Sequence, residues 1–586
     1  MRRILLVLLL GCCILLLALL LPASQPLPIP VVSVNIHTPY AHQPNLRDYD
    51  RLFRAKIHGN LEPLQHYAAT GPQGYLLYRT LLTLARAPKL SATERLGYLE
   101  RVLAFDLISP LTRGDTRWAQ LELGRLAEEA RERAKALEAY REALPLRSAA
   151  LGLQRLEPRP RQLAKIFLEE GEAELALNAL QGISAPALRA PALAVLGEDP
   201  FALASYNRWL LRTPGSPDAL EGKVAILIGL EHFGAARSLL RTMPINPELE
   251  VALAEAQGDD AATLQAYRRL AEVTGDEGAL WQITGLLEKR GTPRDALPLY
   301  LELARGDSDL QDDAAYRAYT LAKRLGLPGI RAEAEALIPQ DSYFYLRLHP
   351  KLALPNEMLE RVALPVVAKA RALKLIGDSK AALGELLIAL KDAEDEKTAI
   401  TLAEALQAQG EYGASSEAAR TWLERGSEAR RTYQTAYPRP FRKTVQTQAR
   451  AHEVEGAYIW AVMRQESHFY PRALSTSDAQ GLLQIVPATW DYLAELLGET
   501  PADPFAPRSN IRYGTFYLST LLSSFDGNLS ESAAAYNGGP GYIGRLLEEP
   551  HIQTPDDFLR FIGRDETREY VQRVMRNLTV YRTLYR

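Results

Sequence analysis

Hydrophobic and polar positions follow three different patterns along this chain. Met1-Arg2-Arg3 precedes an unbroken apolar run from Ile4 to Leu21, which as a helix would be ~27 Å long at ~1.5 Å per residue. That length nearly spans the hydrocarbon core of a bilayer, and no polar face exists to meet water. Basic residues before the run and Pro22-Ala23-Ser24 after it fit an export signal, and the same run fits a retained anchor. Residues 1–24 are therefore expected to be a signal peptide or signal anchor, with everything downstream exported. Residues 25–45 hold several prolines and no long helical period, the pattern of an extended linker. From 46 to 430, Leu, Ala, Glu and Arg recur in amphipathic runs broken at short intervals by Gly, Pro or Asp, which predicts stacked helices.

Several of these runs carry a loose repeat. Leu123-Gly124 is followed by Ala136, Tyr140 and Ala143, small residues where two antiparallel helices approach and an aromatic to fill the gap, as in tetratricopeptide units. Trp281 with Ala296 and Tyr300 repeats the idea, and Ala382, Leu386 and Ala389 echo it. Nearly four hundred helical residues cannot share one compact core, because single cores stop growing at ~250 to 300 residues. An array of helix pairs, an α-solenoid, avoids that limit.

Composition narrows the chemistry. The formal net charge of −3 is spread over both signs, which gives no nucleic-acid-binding patch. Cys12 and Cys13 are the only cysteines and lie inside the apolar leader, so the remainder of the chain has no thiol or disulfide chemistry. No Cys or His cluster has metal-ligand spacing, and neither a metal nor a cofactor is expected. One carboxylate is out of place: reading back from Glu466 at helical spacing gives Met463, Val462 and Ile459, so Glu466 continues the apolar stripe. Desolvation there disfavours the charged form and lets a Glu keep a proton near neutral pH. The periodicity also admits an ordinary surface Glu at a misphased helix end.

The wider pattern is Glu466-Ser467-x-Phe469-x-Pro471-x-Ala473-x-Ser475, then Ala479-x-Gly481-Leu482-Leu483-Gln484-Ile485. It continues with Asn510-Ile511-x-x-Gly514-x-x-Tyr517-Leu518, Ala535-Tyr536-Asn537-Gly538-Gly539 and Glu566-Thr567-Arg568-x-Tyr570-Val571, preceded by Tyr437-Pro438-x-Pro440-Phe441. Over about the last 150 positions this resembles the catalytic domain of the soluble lytic murein transglycosylases, the goose-lysozyme-like murein-cleaving enzymes. The resemblance implies an all-α chain, with a superhelical solenoid at 46–430 followed by a lysozyme-like catalytic domain at 431–586. It also implies closure of the solenoid into a ring, which nothing in the residues themselves requires.

By the same resemblance the substrate is the peptidoglycan glycan strand. Glu466 would be acid and then base, and Ser475, Gln484, Tyr536 and Asn537 would bind the sugars. Glu566 would meet sugar or stem peptide, Tyr570 would pack beneath it, and Phe469 and Leu483 would wall the groove. Envelope proteins are candidate partners of the solenoid, and membrane contact is expected only through residues 4–21 if the leader is retained. Two departures stand out: Asp478 replaces a usual glycine and Leu483 a usual methionine. Asp478 is expected to be a turn residue in the left-handed conformation, although a second carboxylate could instead activate water. Two alternatives to the transglycosylase thus stay open, a lysozyme-type hydrolase using water and an envelope scaffold with a weakly active catalytic module.

Overall fold

The computed structural model describes residues 46–585 apart from 73, 106–112, 145, 341, 350–358 and 476. The expected leader and linker lie outside the described residues. Within them the chain is helical from end to end and has no extended strand, with isolated bridges from Leu474 to Gln480 and from Gln480 to Ile485. No described helix is long and apolar enough to cross a membrane.

Helix pairing follows the small-residue logic of the repeats. A Cβ added at Gly124 would stand 2.6 Å from the Tyr140 ring, and one at Gly152 2.5 Å from its other edge. Tyr140 is thus clamped between two helices that only glycine lets approach. Trp281 and Tyr300 meet edge to face at 5.7 Å in the same way. The apolar stripes of successive helices build a series of small cores, such as the one around Tyr140, Leu153 and Phe167, as expected of an array in which each unit buries its face on its neighbours.

The array closes on itself. Helices Arg47–Ile57 and Tyr75–Ala85 share a core with Pro365–Leu375 and Ser379–Lys391. There the Tyr49 hydroxyl donates to Glu385 at 2.6 Å, Lys369 reaches the same carboxylate at 2.9 Å, and Arg79 pairs with Asp378 at 2.7 Å. Gly384 is pressed against Tyr75 so closely that a Cβ there would lie 2.1 Å from the ring.

A single core runs from Leu264 to Leu584 and includes both late solenoid helices and the C-terminal segment. Their seam is fastened by buried ions. Arg317 spans Glu288 at 2.5 Å and Asp557 at 2.7 Å, with all three side chains nearly inaccessible. Arg560 lies 3.7 Å over the Trp281 ring and donates to the Trp281 carbonyl at 2.7 Å. Removing Arg317 would leave two buried carboxylates without their shared buried partner, which typically costs ~3 to 5 kcal/mol.

Candidate active site

Helix Gly456–Ser467 crosses the middle of the C-terminal domain, with Ile459, Val462 and Met463 completely buried. Glu466 follows them on the same stripe at the end of the helix, and it is half-buried. Burial of its carboxyl, assisted by the nearby charge of Glu566, pushes its pKa up to about 8 against the opposing hydrogen bond from Tyr570. That bond is short: the Tyr570 hydroxyl donates to Oε1 at 2.5 Å from the last helix, Asp565–Leu584. The carboxyl is therefore both desolvated and held in one orientation.

The chain leaves the helix through two consecutive left-handed residues, His468 (φ 47°) and Phe469 (φ 66°). This reversal turns Phe469 inward, where it is 1 % exposed and edge-on to Tyr412 at 6.5 Å. Ser467 donates from its hydroxyl to the Leu482 carbonyl at 2.7 Å, tying the helix end to the Gly481–Gln484 loop. Gly481 adopts φ 78°, and a Cβ there would stand 2.3 Å from the Asn510 amide, so that only glycine fits. Asn510, fully buried, accepts from the Leu483 N–H at 2.8 Å and donates to the Gln480 and Pro504 carbonyls. One side chain thereby satisfies two backbone groups of this loop and ties it to Pro504, in the segment before helix Pro507–Ser524.

Tyr536 approaches the loop from helix Leu529–Gly538 and donates to the Leu483 carbonyl at 2.6 Å. Burial and then the charge of Glu466 push its pKa well above the ordinary phenol value, so it stays a neutral hydrogen-bond donor beside the carboxyl. Asn537, the next residue, accepts from Thr567 at 2.7 Å and donates to Glu566 at 3.3 Å, bridging this helix to the last one. Ser475 accepts from the N–H groups of Ser477 and Ala479 at 3.2 and 3.0 Å. The Gln484 amide nitrogen donates to the Ala473 and Gly481 carbonyls at 3.1 and 2.8 Å. Each of these side chains is half-built into the loop: among the described residues nothing accepts the Ser475 proton or donates to the Gln484 amide oxygen.

Residues 443–557 match the family model described as the transglycosylase SLT domain. This part of the chain is an SLT domain. A soluble lytic murein transglycosylase of Escherichia coli is 33 % identical over 135 residues, which is 22 % of this chain and 21 % of that protein. A putative soluble lytic murein transglycosylase of Haemophilus influenzae is 36 % identical over 126 residues, 21 % of each chain. The matched stretch thus spans about a fifth of these curated relatives. The fold likeness reaches much further. The 70 kDa soluble lytic transglycosylase of E. coli superposes with a TM-score of 0.62 at 18 % identity, over 92 % of this chain and 98 % of that one. An inactive mutant of the lytic transglycosylase Slt of Pseudomonas aeruginosa gives 0.57 at 21 % identity, over 91 % and 96 %. At such identities these matches show a common superhelical all-α fold and nothing finer.

Within the SLT domain several expectations need revision. Phe469 and Leu483 do not wall the groove by their side chains: Phe469 is 1 % exposed and Leu483 is fully buried against Gly514. Leu483 contributes its carbonyl to Tyr536 instead, because the left-handed turns put its backbone outward and its side chain inward. Tyr570 lies one helical turn beyond Glu566, but its hydroxyl is committed to Glu466. Both residues lie past the matched stretch, so the last helix completes a site that the SLT match alone does not contain. Asp478 is exposed and left-handed at φ 60°, with its N–H donated to the Ser475 carbonyl at 3.2 Å. His468 faces the solenoid side, its carbonyl 3.2 Å from where a Cβ on Gly413 would stand.

Sequence reasoning passed over Arg464. Two residues before Glu466, it is 6 % exposed, donates to the Ser416 hydroxyl and the Ala436 carbonyl, and lies 4.4 Å over the Tyr437 ring. It pins the Glu466 helix to the last solenoid helices. A charged residue on an otherwise buried face was the available signal, since Arg is rarely buried without a partner.

Proposed function

We propose that the chain is an exported peptidoglycan lytic transglycosylase that cleaves the β-1,4 bond between N-acetylmuramic acid and N-acetylglucosamine. The observation that carries this reading is Glu466, a carboxyl with a pKa near 8 held by Tyr570 at the rim of an SLT domain. At neutral pH it is largely protonated and can give its proton to the glycosidic oxygen as the C1–O bond breaks. The substrate's 2-acetamido oxygen would stabilise the cationic sugar, aided by the neutral hydroxyl of Tyr536. Glu466, now a carboxylate steadied by Tyr570, removes the proton of the sugar's 6-hydroxyl, and that oxygen closes on C1. The proton lent to the leaving sugar is thereby replaced on Glu466, and a 1,6-anhydromuramic end forms without net water.

Ser475, Gln484 and Asn537 would hold the sugars beside the cleavage point, with Glu566 toward the stem peptide. The solenoid would confine the strand and meet any envelope partners. Hydrolysis by the two-carboxylate route would require a second carboxylate to activate water. Asp478 is exposed in a turn, and Glu566 is exposed and tied to Asn537, which favours the single-carboxylate route.

The test is mass spectrometry of soluble products from purified peptidoglycan digested with the full chain and with its Glu466→Gln variant. Anhydromuropeptides that vanish in the variant are expected. Products heavier by one water would replace the reading with a hydrolase. Binding to the wall without products from either protein would replace it with a scaffold.

A further inference from the structure

Behind the last helix, on the face turned to the solenoid, the seam is not close-packed. A cavity of about 590 Å³ opens between the start of helix Gln311–Arg324 and the first turns of helix Asp565–Leu584, with Asp312 and Asp313 on one wall and Arg568, Gln572 and Arg573 on the other. Interdigitating side chains fix a helix where a core is continuous. Across this gap the placement rests on polar contacts.

Asp313 makes them. It is 7 % exposed, and both its oxygens accept from the Gln572 amide, at 2.9 and 3.0 Å. Its Oδ1 also lies 3.5 Å from Nε of Arg568, which is 5 % exposed. Arg568 pairs besides with Asp565, which is exposed and on its own helix, so among the described residues Asp313 is the carboxylate that ties this guanidinium to the solenoid. Burial, helped by Asp312 on the same helix, pushes the Asp313 pKa up against Arg568, the Gln572 bond and Arg560 of helix Pro555–Phe561. The ionised form that grips Arg568 is therefore fullest on the alkaline side, where Glu466 titrates.

Tyr570 lies midway between these contacts. Arg568 and Gln572 stand two residues before and after it, each ~160° round the helix from it at ~3.6 residues per turn. The turn that carries the Tyr570 hydroxyl is thus held from opposite faces by two carboxyl groups, Glu466 at 2.5 Å and Asp313 at 2.9 Å. A turn closed by its own backbone hydrogen bonds moves as a unit, so a rotation permitted at one face is passed to the other.

We infer that Asp313 is a positioning residue for Glu466: it sets the rotation of the last helix so that the Tyr570 hydroxyl meets the Glu466 carboxyl, and through it the solenoid orients the acid. This rests on the reading of Glu466 as the acid, while the linkage itself, a solenoid carboxylate acting through Tyr570, is the same whatever product is formed.

A double-mutant cycle on the full chain tests it, with Asp313→Ala, Tyr570→Phe and the two combined. The readouts are the Glu466 carboxyl titration by carbon NMR, and kcat and KM on purified peptidoglycan. Asp313→Ala is expected to raise the Glu466 pKa by about one and to lower kcat about tenfold with KM unchanged. In the Tyr570→Phe background the same substitution should move neither, because the hydroxyl through which it acts is gone. Asp313→Asn, which keeps an oxygen to accept from Gln572, should recover part of the lost kcat. Gln572→Met leaves the buried Arg568–Asp313 pair in place and serves if Asp313→Ala does not fold, with a smaller shift of Glu466 in the same direction expected. A Glu466 titration unmoved in the folded variants, whatever the loss of rate, would overturn the inference, as would a shift of equal size without the Tyr570 hydroxyl. Hydrolytic products, or none, would replace the proposed function and leave the NMR result standing. An unmoved titration in an enzyme that forms anhydro ends would do the reverse.

Discussion

Replacing Tyr570 by Phe removes one oxygen and nothing else from the last helix, and its consequence for Glu466 can be worked through. The lost bond is a 2.5 Å donation to a carboxyl, and hydrogen bonds to charged groups contribute ~1.5 to 3 kcal/mol. It stabilises the carboxylate more than the acid, so it now holds the Glu466 pKa down from where burial alone would place it. At ~1.4 kcal/mol per unit, its removal is expected to raise the Glu466 pKa from about 8 by ~1 to 2 units. On the proposed mechanism Glu466 starts the reaction protonated, so kcat/KM should fall as pH rises through that pKa, and this falling limb should move upward in the variant. The rate at neutral pH should also drop, by ~10 to 100-fold, since the carboxyl loses its fixed orientation. The assay is the initial rate of muropeptide release from purified peptidoglycan from roughly pH 5 to 10, with the Glu466 carboxyl followed separately by NMR. An unmoved limb with a large loss of rate would refute the reasoning and make Tyr570 a substrate contact. A limb displaced downward would mean that the bond favours the protonated acid.

Other consequences can be checked more briefly. The folded pKa of Glu466 lies above its unfolded value, so its contribution to stability is fully present below about pH 4.5 and lost as pH rises through about 8. Glu466→Gln should flatten that decline by a few kcal/mol, seen as a smaller loss of Tm between pH 5 and 9 than in the parent. Gly481→Ala combines a positive φ with a methyl 2.3 Å from Asn510. It should cost ~2 to 4 kcal/mol and lower kcat by displacing the loop that carries Gln484, measured by denaturant unfolding and turnover. Arg464→Met should destabilise by ~2 to 4 kcal/mol, measured by denaturant unfolding, because the Ser416 and Ala436 acceptors lose their buried donor. Asp478→Gly relieves a left-handed non-glycine residue and should stabilise by ~0.5 to 1 kcal/mol. Asp478→Asn should leave the product type unchanged, and a switch from reducing-end to anhydro products would refute the turn reading.

What could be read from the sequence divides along a physical line, between features set by local spacing and features set by distant partners. The apolar stripe ending in Glu466 needs only helical periodicity, and the clamping of Tyr140 by Gly124 needs only two neighbouring helices, so both were legible. Asp478 was legible too, as a residue type that tolerates a left-handed turn. The direction in which Phe469 and Leu483 point was not, because two successive positive-φ residues reverse the chain after Ser467 and exchange its inner and outer faces. Apolar residues bordering a catalytic Glu suggest a wall, and only the backbone reveals that they lie behind it. Partners far apart in the chain left still less trace: Tyr570 lies 104 residues beyond Glu466, Asp557 240 beyond Arg317, and Glu385 336 beyond Tyr49.

The long-range pairs act together on the proposed acid. Arg464 anchors the Glu466 helix to the end of the solenoid, Tyr570 reaches Glu466 from the last helix, and that helix is itself braced on the solenoid, with Gln572 donating to Asp313 at 2.9 Å and Arg568 3.5 Å from the same carboxylate. Residues 565, 568 and 572 thus turn one face of the last helix to the solenoid while 566 and 570 turn another to the site. A shift of the solenoid against the SLT domain would move both supports of Glu466 at once. The closed array is therefore part of how a carboxyl is kept buried, oriented and protonated, beyond any part it has in confining a substrate.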